Sequence, residues 1–282
     1  MEKLYDKCRD IILKSTSCRD EDILDYLTIS FMALYTLKGY IVLDKLPSVI
    51  ENITINRIDN NRVKLDIGIL CEDGKVKCKN MLSFPKEIDL SEYYGIIENT
   101  VYFLVTLLRV KKISTDSKHV EIKTGISSKK FGLDGSVSNG RGCFLEKGIT
   151  NLLVRDSMIS LKNYLSDEYE DSINDDHYSE LVRDKNFVYD VRVYLIEKLL
   201  ADAKFASLVD QTFDDLDDRG FAKGYNDIMD NDAAYSNLNK LFDNLSQALV
   251  SSDEESIYKN ISGICDEITG LMNKGSQYKK NI

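Results

Sequence analysis

Histidine is scarce in this sequence, and its scarcity excludes several kinds of site. The chain has only two histidines, His119 and His177. A two-histidine metal site would require these two residues to converge, and nothing in their spacing indicates that they do. No Ser-His-Asp or Cys-His arrangement is predicted either, because each needs a histidine base placed by a further partner.

Paired cysteines are lacking as well. Structural zinc sites ordinarily show CxxC-type pairs. Cys71 and Cys78 flank a predicted turn and would approach each other on facing strands, but the nearest histidine is His119. We interpret the cysteines as buried or edge thiols rather than as metal ligands or a disulfide framework. The six are Cys8, Cys18, Cys71, Cys78, Cys143 and Cys265.

The sequence also lacks a concentrated positive charge. Its formal net charge is −10, and no basic run exceeds the short groups "VKKI" and "YKKN". Binding to nucleic acid or to an anionic membrane surface needs a concentrated basic face, so neither is expected as a partner. A protein partner remains open.

Long uncharged apolar runs are missing too. None approaches the roughly 18–20 residues that span a bilayer. The first residues, "MEKLYDKCRDIILKSTSC", mix charges into a segment that has no apolar core, which is not typical of a signal peptide. We therefore expect a cytoplasmic protein that does not contact membranes.

What the sequence does contain is a pattern typical of an α+β fold. Helical periodicity marks residues 2–15 and 20–38 and a short segment after Gly39. Alternating apolar residues then predict three strands joined by turns as an antiparallel meander. A further strand is predicted in "HVEIKTGIS", and Gly125–Gly142 is predicted to be a mobile loop.

From Phe144 onward the periodicity is helical. The predicted helices cover 144–165, 177–201, 203–214, 221–230, 233–250 and 253–274. We expect an α+β part over residues 1–143 and a helical part over residues 144–282, packed as one unit.

One segment between the predicted strands is apolar on nearly every side. It reads "SEYYGIIENTVYFLVTLLRVKKI", from Ser91 to Ile113. A helix with this composition is typical of a fully buried core element. We expect the sheet to pack on one side of it and the C-terminal helices on the other.

Two segments carry a resemblance to a known family, namely "TVYFLVTLLR" (Thr100–Arg109) and "FLEKGITNLL" (Phe144–Leu153). With the order of elements over about residues 60–165, they resemble the core of gluzincin-like zinc metallopeptidases, in particular an uncharacterised family of low-GC Gram-positive bacteria. In that family a central helix carries two histidine ligands around a catalytic glutamate, and a later helix adds a glutamate ligand. The residues that carry the match in the second segment are Leu145, Gly148, Ile149, Thr150 and Leu153.

The ligand positions themselves depart from the family. Phe103, Leu104 and Leu107 stand where the resemblance implies the first histidine, the glutamate and the second histidine, and Lys147 stands where it implies the third ligand. Phenylalanine and leucine have no lone pair for zinc, and a lysine repels a dication. The resemblance thus implies a pseudoenzyme without metal or cofactor. The alternative is an unrelated α+β domain with a buried helix.

Three further motifs resemble ligand-binding sites, but each is better explained by a structural role. The loop "VSNGRGCF" fits neither GxxxxGK[ST] nor GxGxxG, which favours a connector over a phosphate-binding loop. In "DLDDRGFAKGYN", Arg219 and Asn226 occupy ligand positions of an EF-hand, so we predict a solvated acidic turn. The acidic run Ser166–Glu180 is interpreted as a solvated segment, with attraction of a basic partner as the alternative.

Two classes of function follow from these observations. The first is a non-catalytic binding or regulatory protein on a metallopeptidase-like scaffold. The second is a hydrolase of unrecognised type with a carboxylate-based site. A polar pocket with convergent titratable groups favours an enzyme, whereas an apolar or filled cleft favours a pseudoenzyme.

Overall fold

The computed structural model of the protein describes residues 2–60, 62–72, 75–87, 92–115, 119–132, 136–139, 142–166, 187–214 and 216–279. The chain divides into two compact units. Unit 1 comprises residues 1–108 and 153–184, and unit 2 comprises residues 109–152 and 185–282. The predicted boundary at residue 143 stays a prediction.

Unit 1 begins with three helices, α1 (Glu2–Ser15), α2 (Glu21–Lys38) and α3 (Tyr40–Glu51). The Asp20 carboxylate caps α2 by accepting a hydrogen bond from the Ile23 amide. Arg57 donates to both Asp20 oxygens, at 2.9 and 2.6 Å, and this pairing holds the pKa of Asp20 below its ordinary value. Strand β1, which carries Arg57, is thereby tied to the start of α2.

The sheet of unit 1 contains β1 (Ile53–Ile58), β2 (Lys64–Glu72) and β3 (Lys75–Pro85). Its strand order is β1-β3-β2, with β1 parallel and β2 antiparallel to the central β3. The predicted meander was therefore wrong in its order. Alternation identifies a strand but not its neighbour, and β3, which carries the buried Leu82 and Phe84, takes the middle position.

The apolar segment of the sequence forms α4 (Tyr93–Leu108). Its buried side chains cover one broad half of the helix, whereas the sequence predicted burial on nearly every side. The other half carries partly or fully exposed side chains, namely Glu98, Asn99, Tyr102, Phe103 and Thr106. Within unit 1, α4 contacts α2 and α3, which the sequence did not predict as its neighbours. Its packing on the sheet stays a prediction. Ser30 of α2 donates a hydrogen bond to the Ile97 carbonyl of α4, which links the two helices. Packing against C-terminal helices would join the two units and stays a prediction.

Unit 2 contains a second sheet, which the sequence predicted only in part. Strands β4 (Val110–Thr115), β5 (His119–Thr124), β6 (Ser127–Gly132) and β7 (Val137–Asn139) form an antiparallel sheet in that order. The loop predicted over Gly125–Gly142 thus contains two strands, and most of its described residues belong to them. The segment "SSKKFG" has almost no apolar alternation, so its strand is specified by backbone pairing with β5 after the turn at Gly125, whose φ is +52°.

The remaining elements are helices, as predicted. They are α5 (Cys143–Ser166), α6 (Phe187–Leu200), α7 (Ala203–Gln211), α8 (Asp218–Met229), α9 (Ala234–Ser251) and α10 (Glu254–Lys279). Residues 177–186, predicted to be helical, lie outside the described residues. Helix α5 contributes residues 143–152 to unit 2 and residues 153–166 to unit 1. No helix within the described part of the chain is both long and apolar enough to span a bilayer.

Candidate functional site

The three positions singled out on α4 belong to the interior of unit 1. Leu104 is fully buried and Leu107 is 6% exposed, which confirms the prediction of near-complete burial. Phe103 is half-buried, and its ring makes an edge contact with Tyr102 at a centroid distance of 5.7 Å. These side chains fill space and offer no ligand atom.

Lys147 has a different environment from its neighbour Glu146. Lys147 is exposed on the first turns of α5, whereas Glu146 is buried and forms a two-point ion pair with Arg109. The Glu146 carboxylate is therefore already engaged by Arg109. The resemblance implies that Lys147 lies near Phe103 and Leu107; that proximity would join the two units and stays a prediction.

Lys147 lines a polar cleft that lies within unit 2. We call it the α5 cleft; its volume is about 240 Å³. It is formed by the start of α5, by α6 and by α9. Its lining residues are Cys143, Phe144, Lys147, Arg192, Asp243, Ser246 and Gln247.

Cationic side chains dominate one part of this cleft. The Arg192 guanidinium lies over the Phe144 ring, with its central carbon 4.4 Å from the ring centroid. Although Lys147 reaches solvent, its partial burial in the cleft, together with the charges of Lys129 and Arg192, lowers its pKa. Lys129 belongs to β6, so three elements bring positive charge to this region.

A glycine allows α6 to approach α5 here. A Cβ placed on Gly148 would lie 2.9 Å from Arg192 Cγ and 2.5 Å from Ile196 Cγ1. Both distances are below ordinary van der Waals contact, so any larger residue at position 148 would push α6 outward. Gly148 thus places Lys147 and Arg192 along the same cleft. It is also one of the residues that carry the family resemblance.

The other lining groups are polar and titratable. Burial raises the pKa of the Asp243 carboxyl. Burial likewise raises the pKa of the Cys143 thiol, whose sulfur donates to the Ser128 carbonyl at 3.4 Å. A thiol in this state is a weak nucleophile, since the thiolate is the reactive form. The cleft is therefore better suited to binding than to covalent chemistry.

A second cleft shares Asp243 with the first. We call it the Asn239 cleft; its volume is about 390 Å³. Asn239 is buried, and within the described residues neither atom of its amide has a hydrogen-bond partner of ordinary geometry, although the amide influences the pKa of the neighbouring Tyr235. The cleft also contains the carboxylates of Asp232 and Asp243.

The structure describes part of the acidic turn and of the glycine-containing loop that the sequence brought forward as possible ligand sites. Asp217 caps α8 by accepting a hydrogen bond from the Gly220 amide at 2.8 Å, so this acidic turn begins a helix. In the segment Val137–Phe144, Val137–Asn139 forms β7 and α5 begins at Cys143, while residues 140–141 lie outside the described residues. The described residues contain no group of three or more histidine, cysteine, aspartate or glutamate side chains that could hold a metal ion. The acidic run beyond Ser166, His177 and the side chains of Cys71 and Cys78 lie outside what the structure describes.

The sequence singled out Lys147 as a degenerate ligand position, not as part of this cleft, and Arg192 and Asp243 were missed. These residues are 45 and 96 positions from Lys147 along the chain, and each reads as an ordinary polar position on a helix. No local motif connects them, and the packing of α5, α6 and α9 brings them together.

The chain was compared with protein-family models, with curated proteins and with solved structures, and none of the three comparisons finds a match. The site must therefore be interpreted from its own chemistry.

Proposed function

We propose that this protein is a non-catalytic binding protein on a metallopeptidase-like scaffold, located in the cytoplasm, and that it binds its ligand in the α5 cleft. The observation that carries the proposal is the burial of Leu104 and Leu107, at 0% and 6% exposure. On a metallopeptidase scaffold these positions would face the metal, and here they are part of the core.

The chemistry of α4 supports a structural role for that helix. Two imidazoles four residues apart bind one zinc ion through nitrogen lone pairs, and leucine and phenylalanine have none. Lys147, at the position of the third ligand, adds positive charge that would repel Zn²⁺. The polar groups of unit 2 instead converge in the α5 cleft, which is open to solutes.

Elemental analysis of the purified protein tests the first half of this proposal. We expect far less than one zinc per chain after dialysis against a mild chelator. About one zinc per chain retained after that treatment would overturn the non-catalytic interpretation. The second half is tested by the ligand titrations described below for the α5 cleft.

One observation favours the alternative function, a carboxylate-based hydrolase. Asp232 and Asp243 line the same cleft, and the raised pKa of Asp243 is the property of a general acid. This alternative predicts turnover of a glycoside or phosphoester substrate that is abolished by Asp243→Asn. A panel of chromogenic esters, glycosides and phosphoesters therefore separates the two functions.

A further inference from the structure

Three cationic side chains come together beside the α5 cleft, although the chain has a formal net charge of −10. Lys147 and Arg192 line the cleft, and Lys129 is near enough for its charge to act on Lys147. Positive charges gathered beside a cleft favour the binding of an anion there.

Of the carboxylates near these cations, one is already engaged. The Glu146 carboxylate accepts two hydrogen bonds from Arg109 and one from the Ile126 amide. Among the described residues that line the cleft, Asp243 is the only carboxylate, beside the two cations Lys147 and Arg192.

The geometry of Arg192 suits an oxyanion. Its guanidinium carbon lies over the Phe144 ring, and Gly148 allows the close approach of α6 there. A guanidinium is planar and can recognise carboxylate and phosphate groups with two parallel hydrogen bonds. Lys147 supplies a second positive charge through its ammonium group, which can also donate hydrogen bonds.

The remaining groups of the cleft add neutral donors. Cys143 and Phe144, the first residues of α5, line the cleft, so the positive end of this helix is close to it. Ser246 and Gln247 of α9 contribute a hydroxyl and an amide. These groups complement the cations, since each can donate to an oxygen of the same ligand.

We infer that the α5 cleft binds an oxyanion of the phosphate or carboxylate class, with Lys147 and Arg192 as its charge partners. The inference rests on the proposed function, whose ligand class it names. Asp243 restricts the choice of ligand, because a second negative charge on that side would be repelled. A ligand with a hydroxyl group beside its anionic group fits both sides of the cleft.

Titration of the full chain followed by ¹H–¹⁵N NMR tests this inference. Sodium phosphate and sodium acetate are titrated separately at pH 7, with sodium chloride holding the ionic strength constant. We expect saturable shifts of the Cys143–Lys147 amides for at least one of the two anions. Saturation by phosphate alone or by acetate alone shows whether the anionic group of the ligand is a phosphate or a carboxylate.

Four variants locate the site. Lys147→Gln and Arg192→Lys should each weaken binding about tenfold or more, because each removes a charge-assisted hydrogen bond or its two-point geometry. Lys223→Gln is the matched control, since Lys223 is exposed in the same unit but does not line the cleft. Asp243→Asn should strengthen binding because it removes the opposing charge. The NMR spectra also verify that each variant is folded.

Two results would overturn the inference in distinguishable ways. If methylammonium chloride saturates the same amides and requires Asp243, the ligand class is wrong while the cleft remains the binding site of the proposed function. If phosphate, acetate and methylammonium all leave these amides unchanged, the cleft is not a small-ligand site, and both proposals lose their basis.

Discussion

The guanidinium of Arg109 and the carboxylate of Glu146 form a two-point ion pair inside unit 2, with Nε–Oε1 and Nη2–Oε2 distances of 2.5 and 2.9 Å. The Arg109 side chain is fully buried, and the Phe213 ring covers its guanidinium at 4.8 Å. Glu146 also accepts a hydrogen bond from the Ile126 amide at 3.1 Å. The pair therefore links the start of β4, the turn between β5 and β6, and the first turn of α5.

Removal of the Glu146 charge should strongly destabilise the protein. Glu146→Gln leaves a buried guanidinium without a counter-charge, which typically costs about 3–5 kcal/mol. The measurement is the free energy of unfolding in urea. Glu255→Gln, at an exposed position of α10, is the matched control and should change it by less than about 0.5 kcal/mol.

A double variant separates the charge from the packing. Arg109→Met combined with Glu146→Leu should be more stable than Glu146→Gln alone, because an apolar pair leaves no unpaired buried charge. If Glu146→Gln loses less than about 1 kcal/mol, the pair is solvated in solution and does not hold these elements together.

Gly125 should not tolerate a side chain. Its φ is +52°, and a Cβ on it would lie 2.6 Å from both Arg109 Nη2 and Glu146 Oε1. Gly125→Ala should cost about 1–3 kcal/mol from backbone strain, with a further loss from displacement of the ion pair. Gly270→Ala is the control, since a Cβ there meets only Met229 Cε at 3.3 Å within a helix. Equal melting temperatures for the two variants would contradict this account.

Leu107→His tests whether the former ligand position of α4 is core. A polar ring in this buried place loses packing and leaves an unpaired group, so we expect a loss of about 2–5 kcal/mol in the free energy of unfolding. Val250→His, at a residue that is 86% exposed, should be nearly neutral. Added zinc should not raise the melting temperature of Leu107→His. A loss below about 1 kcal/mol, or stabilisation by zinc, would mean that residue 107 faces an open cleft.

Asp243→Asn should stabilise the protein at neutral pH. Burial raises the pKa of Asp243 above its ordinary value of 3.8, so the folded protein holds this proton more tightly than the unfolded chain does. The stability that this group contributes is present below pH 3.8 and is lost as the pH rises through the folded-state pKa. The variant should therefore be more stable than the parent at pH 7 and equally stable near pH 3, as measured by urea unfolding at each pH.

Asp253→Ala provides a comparison of opposite sign. The Ser256 side chain and amide lower the pKa of Asp253, so its contribution is present at pH 7 and is lost as the pH falls below 3.8. Asp253→Ala should be less stable than the parent at pH 7. If Asp243→Asn and Asp253→Ala both raise or both lower the free energy of unfolding at pH 7, the pKa directions given for Asp243 and Asp253 are contradicted.

Thiol reactivity should follow burial. Burial raises the pKa of Cys8 to about 12 and also raises that of Cys143, whereas Cys265 is exposed. Because the thiolate is the reactive form, iodoacetamide at pH 7.5 should label Cys265 more than tenfold faster than Cys8 or Cys143. Peptide mass spectrometry measures each rate, and labelling in urea should equalise them. Rapid labelling of Cys143 in the folded protein would show that the α5 cleft opens more widely than the structure indicates.

Local patterns in the sequence determined most of the helices and the role of α4. Helical periodicity places α9 at residues 233–250, and the structure has Ala234–Ser251. The apolar composition of α4 favours burial whatever its neighbours are, and half of its residues are buried in the structure. These features depend on residues a few positions apart, so they can be recognised without knowledge of the fold.

Tertiary structure alone decided the pairing of strands and the composition of the site. Period-two alternation does not specify whether β1 pairs with β2 or β3, and β6 and β7 form from a polar segment because neighbouring backbone supplies their hydrogen bonds. Arg109 and Glu146 are 37 residues apart, and Lys147 and Asp243 are separated further. A charged side chain in the sequence carries no sign of its partner, because the partner is chosen by the packing of helices and strands that are distant in the chain.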